Sequence, residues 1–141
     1  MKKVAVVFWS GTGNTEAMAN AVAEGAVAAG AETSLFSPPE YGSFRPSDFD
    51  AIAFGCPAMG AEELEDGEFL PMFDSCKPEL KGKKIALFGS YGWGIGEWMQ
   101  SWEASCAALG AAFAADSVIC HEAPEEDVLS DCRALGAALE K

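Results

Sequence analysis

Five short apolar runs punctuate the chain, at 3–9, 32–36, 51–56, 84–89 and 117–121, and helix-patterned segments fill the spaces between them. The first, third and fourth are almost continuously apolar, as parallel strands covered on both faces must be. The second is weaker and more polar. Between the first two runs, Met18, Ala21, Val22, Gly25 and Ala29 recur at helical spacing over 16–29. Gly30 stops that helix. The spacing predicts a short helix over 69–75, a third over 98–109 with Gly110 as its stop, and a last one over 127–139. In the last, Val128, Leu129, Cys132, Leu135 and Leu139 share the inward face. Pro38-Pro39 and Pro46 read as a loop.

Strands alternating with helices imply an α/β fold: a three-layer sandwich whose five-stranded parallel sheet is joined by right-handed crossovers, in the order 2-1-3-4-5. In such a sheet a ligand binds beyond the carboxyl ends of strands 1, 3 and 4, at the point where the strand order reverses. The unusual residues fall there, at 10–15, 57–62 and 90–94.

The first of these loops, Ser10-Gly11-Thr12-Gly13-Asn14-Thr15, joins a buried strand to a helix start. Its glycines let the backbone close around an anion, and the helix N-terminus adds partial positive charge. It contains no lysine or arginine, so neutral donors would hold a phosphate. The Gly-Lys-Ser/Thr ending of nucleotide hydrolases is missing, and Glu16 stands where a dinucleotide loop has its third glycine. The second loop, Pro57-Ala58-Met59-Gly60-Ala61-Glu62, offers a soft thioether face beside a peptide free to reorient. The third, Ser90-Tyr91-Gly92-Trp93-Gly94, sets two flat aromatic surfaces among free amides. One phosphate cradle and two ring faces suit a flat heteroaromatic with a phosphate tail, and flavin mononucleotide (FMN) fits best.

A length of 141 residues, half of them hydrophobic, suits one domain over 1–141 with a substantial core. Nine basic against 22 acidic residues give a net charge of −13, which argues against nucleic acid and anionic membranes and favours partners with basic surfaces. Five cysteines, an odd number with no Cys-x-x-Cys pair, favour neither a disulfide framework nor a zinc site. The N-terminal Met1-Lys2-Lys3 leads into a strand with no signal-cleavage pattern, so a cytoplasmic location is expected.

The segments Trp9 to Glu16, Gly55 to Gly60 and Leu87 to Gly94 together resemble those of short-chain flavodoxins, and the resemblance covers essentially the whole chain. It implies a cytoplasmic electron carrier, not an enzyme, with no catalytic residue and no metal. Non-covalent FMN would cycle between semiquinone and hydroquinone at low potential. Carried over, Ser10, Thr12, Asn14 and Thr15 bind phosphate with the amides of Gly11 and Gly13. Met59 and Trp93 cover the two ring faces. The amides of Gly92 and Gly94 approach N1 and O2, and Glu62 meets the N3 edge. Ala58, Ser90 and His121 lie along the ribityl chain; Pro57, Ala61 and Tyr91 complete the loops. The Gly60 carbonyl, turned toward the ring, would accept a hydrogen bond from N5. Pro57 replaces a serine found in some relatives, Ala61 a polar residue or glycine, and His121 a common asparagine. The resemblance further implies a monomer that serves redox enzymes with basic docking surfaces, such as 2-oxoacid oxidoreductases, hydrogenase-type enzymes or ferredoxin-linked reductases. The alternative is an FMN-dependent NAD(P)H:quinone-type reductase on the same fold. A signalling receiver domain would need an acidic pair after the first strand and an aspartate after the third, where Ser10-Gly11 and Pro57 stand.

Overall fold

The computed structural model describes residues 1–60, 62–92 and 94–141; Ala61 and Trp93, both expected at the site, lie outside the described residues. The strands are β1 (Lys3–Phe8), β2 (Glu32–Phe36), β3 (Ala51–Gly55), β4 (Lys84–Tyr91), β5 (Ala112–Phe113) and β6 (Val118–His121). The helices are α1 (Asn14–Ala28), α2 (Pro38–Tyr41), α3 (Phe69–Cys76), α4 (Glu97–Ala108) and α5 (Glu126–Glu140). The sheet runs β2-β1-β3-β4-β5, parallel at every pairing. This is the expected order 2-1-3-4-5 with one refinement. The fifth strand comes in two pieces: β5 pairs with Lys84 and Ile85 at the start of β4, and β6 pairs with Phe88 to Tyr91 at its end.

The period of two along each central strand sorts side chains into two cores. On one face Ile52, Phe54, Ile85 and Leu87 pack against Phe69 and Phe73 of α3 and Trp98 and Trp102 of α4. On the other, Val4, Val6, Ala53 and Phe88 meet Met18, Val22 and Ala26 of α1 and Cys132, Leu135 and Leu139 of α5. Each large side chain buried in this way contributes about 1.5–3 kcal/mol.

The four expected helices fall within a residue or two of their expected bounds, and Gly30 and Gly110 stop theirs with φ of 101° and 83°. Ala29 differs from expectation: it lies one residue beyond α1 and is exposed. Val128 and Leu129 are half-buried against the second core. The proline segment read as a loop holds α2 and a 3-10 turn at Pro46–Asp48. Proline is tolerated in a first helical turn, where its missing N–H has no partner to lose. Ser37 caps α2, its N–H donating to Glu40 Oε1 at 2.8 Å. The turn seats Tyr41 in the core beside Phe36 and Phe49.

α1 and α5 cross in close contact at two glycines. A Cβ on Gly25 would overlap the Arg133 carbonyl, and one on Gly136 the Val22 carbonyl. In an open helix Gly136→Ala would stabilise by roughly 1 kcal/mol through helix propensity. Here the new methyl meets backbone that has no rotamer to escape into. We expect Gly136→Ala to lower unfolding free energy by roughly 1–3 kcal/mol in urea denaturation, and a stabilised variant would refute the close crossing.

Candidate functional site

All three loops open at the carboxyl end of the sheet and surround a cavity of about 290 Å³. Trp9, Ser10, Gly11, Thr12, Asn14 and Thr15 supply one wall, Pro57, Ala58 and Met59 a second, and Ser90, Tyr91, Gly92 and Glu122 a third. Among the described residues no lysine or arginine lines it.

In the first loop Gly13, at φ 98°, turns the chain into α1. Ser10 Oγ accepts from the N–H of Gly13 at 3.1 Å and of Glu16 at 3.3 Å, which braces the turn from inside. The N–H groups of Gly11, Thr12 and Asn14 find no acceptor among the described residues. Thr15 is buried, and its hydroxyl lies 2.8 Å from that of Ser90 while accepting the Ser90 N–H at 3.3 Å. Thr15 therefore ties the first loop to β4, which runs on past the end of its apolar pattern to carry Ser90 into the core.

In the second loop Met59 and Glu63 exchange backbone hydrogen bonds at 2.8 and 3.0 Å, closing a turn in which Gly60 and Glu62 take φ of 45° and 61°. Glu62 is turned toward α4: its Oε2 accepts the Trp98 N–H at 2.9 Å. Its Oε1 is buried with no partner among the described residues, pressed against Gly94, where a Cβ would overlap it. The Trp98 indole donates to the Cys56 carbonyl at 3.2 Å. Burial pushes the Cys56 thiol up to about 12, so it stays protonated beside the cleft.

Of the residues expected at the site, Gly13, Gly60, Glu62, Gly94 and His121 do not line the cavity. His121 is exposed beside the third loop, and its Nε2–H donates to the Gly92 carbonyl at 3.2 Å. Two lining residues were not among those expected, Trp9 and Glu122. Trp9 had a signal, since an aromatic closes the first apolar run; its indole donates to Glu68 Oε1 at 3.1 Å. Glu122 had none. It takes a left-handed φ of 65° just past β6, and this turn brings it to the cleft.

The chain matches the flavodoxin family model over residues 6–136. It is 45% identical to a flavodoxin of Megasphaera elsdenii over 98% of both chains, and 37% identical to one of Clostridium beijerinckii over 93% of this chain and 94% of that one. The solution structure of two-electron reduced Megasphaera elsdenii flavodoxin superposes with a TM-score of 0.86 at 44% identity, covering 97% of this chain and 98% of that one. This chain belongs to the flavodoxin family. Its cofactor is FMN, and it is an electron-transfer protein rather than an enzyme. The cleft fits that cofactor at its phosphate end, where unpaired amides at the α1 N-terminus suit an anion, and Met59 and Tyr91 on the other walls offer apolar faces to a ring.

The second loop is itself held by a cap. Glu65 accepts the N–H groups of Gly67, Glu68 and Phe69 at 2.7–2.8 Å, satisfying donors at the start of α3. Burial opposes ionisation of Glu65, but these three donors outweigh it and hold the carboxyl below the ordinary 4.5. A pKa depressed by folding contributes stability above the unfolded value and loses it as pH falls through the folded one. Glu65→Gln is therefore expected to cost about 1 kcal/mol at neutral pH. Urea denaturation should show the gap to wild type closing as pH drops below 4.5; a gap independent of pH would refute a cap that depends on charge.

Proposed function

We propose that the chain is a low-potential one-electron carrier that holds FMN in the cleft of the three loops. The carrying observation is the cluster of unpaired amides on a loop without basic residues, at the end of a helix and opposite Met59 and Tyr91. In this reading Gly11, Thr12 and Asn14, with the loop braced by Ser10, hold the phosphate. Ala58 and Ser90 face the ribityl chain, Met59 covers one ring face, and Glu62 meets N3 once its carboxylate turns back from the Trp98 amide. The Trp93 face belongs to the same reading.

Bound FMN supplies one-electron redox chemistry. The residues around it decide how costly added charge is. Neutral donors leave the phosphate charge uncompensated, and Glu122 lines the cleft. A unit charge ~10 Å away acts with roughly 0.4 kcal/mol in water and roughly 1.7 kcal/mol at an effective dielectric of 20. For one electron, about 1.4 kcal/mol corresponds to about 59 mV. Glu122 on the cleft, with the nearby loop carboxylates Glu62, Glu63, Glu65 and Asp66, therefore favours a low potential for the second electron, and the apolar cleft wall strengthens them by excluding water. The remaining chemistry belongs to partner enzymes.

An absorbance-monitored reductive titration of the FMN-loaded protein should resolve two separate one-electron steps. A single two-electron step, together with rapid NADPH oxidation by the protein alone, would replace this reading with that of a reductase.

The chain exchanges electrons with redox partners. We propose that those partners dock through basic surfaces, 2-oxoacid oxidoreductases, hydrogenase-type enzymes and ferredoxin-linked reductases being the classes expected. The support is the net charge of −13. Electron transfer to such a partner should slow as salt rises, because screening removes the steering field. Stopped-flow rates that do not change with salt would refute electrostatic docking.

A further inference from the structure

We propose that His121 is a positioning residue for the cofactor, acting by holding the Gly92 carbonyl and not by touching the cofactor; this rests on the FMN reading above. The parallel pairing of β4 with β6 sets Tyr91 opposite His121 and ends there, with the Glu122 N–H donating to the Tyr91 carbonyl at 2.8 Å. The chain then leaves the sheet as the third loop. Among the described residues of 92–95, the one hydrogen bond holding that loop is His121 Nε2–H to the Gly92 carbonyl, at 3.2 Å.

The chemistry of this contact is one-directional. A carbonyl only accepts, so Nε2 carries the proton, in the neutral Nε2–H tautomer or in the cation. The ring is steadied by Tyr91, whose centroid lies 5.2 Å away at 47°. Glu122 Oε1 sits 3.6 Å from the same nitrogen, beyond hydrogen-bond reach.

Among the described residues no other hydrogen bond and no side chain holds Gly92. It is exposed, carries no side chain, and a Cβ built there would meet nothing within 4 Å. Among the described residues, neither packing against Gly92 nor the steric limits of a side chain choose its peptide orientation. A peptide group is planar, so fixing the carbonyl fixes the plane that it begins. Gly92 lines the cleft. A loop ordered before binding spares the complex the entropy of ordering it, so the His121 bond raises FMN affinity without contributing a contact.

The test compares His121→Phe, which keeps a ring against Tyr91 but has no donor, with His121→Gln, whose amide nitrogen replaces Nε2–H. FMN affinity is read by quenching of flavin fluorescence, both midpoint potentials by redox titration, and apoprotein stability by urea denaturation. We expect His121→Phe to bind FMN roughly 2–10-fold more weakly, the range that one hydrogen bond's net contribution supports. Its potentials should be displaced and its urea midpoint unchanged, while His121→Gln returns affinity and potentials toward wild type. Wild-type affinity and potentials in His121→Phe would overturn the proposal, as would a loss in His121→Gln equal to that in His121→Phe. Failure of the wild-type chain itself to retain FMN would instead overturn the FMN reading, and this proposal with it.

Discussion

Three strands of this sheet are covered on both faces, and the rest of the molecule follows from that burial. Residues 4–7 of β1, 51–54 of β3 and 85–88 of β4 expose no surface. Their backbone groups are satisfied by neighbouring strands, since no water reaches them. Parallel pairing sends all three carboxyl ends to one rim, and polar residues first become affordable there. The strand ends are tightly closed. A side chain at Gly55 would overlap the Phe88 ring, and one at Gly89 the Cys56 carbonyl. Small residues at those points bring the second and third loops close enough to share a cleft with the first.

The loops do not hang free from this rim. They are cross-tied by side chains that leave one loop and end on the next element. Thr15 meets Ser90, the Trp98 indole meets the Cys56 carbonyl, Glu62 meets the Trp98 amide, and Trp9 meets Glu68. Each such bond is worth only about 0.5–1.5 kcal/mol net. Together they set the width of the cleft before a cofactor enters it. The exception is the stretch after Tyr91, where among the described residues the one tie is an exposed histidine.

The apolar runs and the glycine-rich loops were legible in the sequence because their signals are local. A doubly buried strand must read as a continuous apolar run, and a phosphate cradle needs glycines beside a helix start. β5 was not legible, because a two-residue exposed strand has no alternation to read. α2 was hidden by its prolines, which usually mark loops and here occupy the tolerated first turn. Thr15 was read as a phosphate ligand from its place in the motif, but its hydroxyl is engaged by a serine 75 residues away.

By itself the sequence determined the α/β class, the strand order and the three loops that meet at the rim, since these depend on hydrophobic period, turn residues and the handedness of crossovers. The tertiary structure alone decided where the polar groups point. It turned Glu62 toward the start of α4, brought Glu122 into the cleft through a left-handed turn, and set His121 on the Gly92 carbonyl. Those directions depend on which distant backbone group lies within hydrogen-bond reach, and that distance exists only once the two cores have packed.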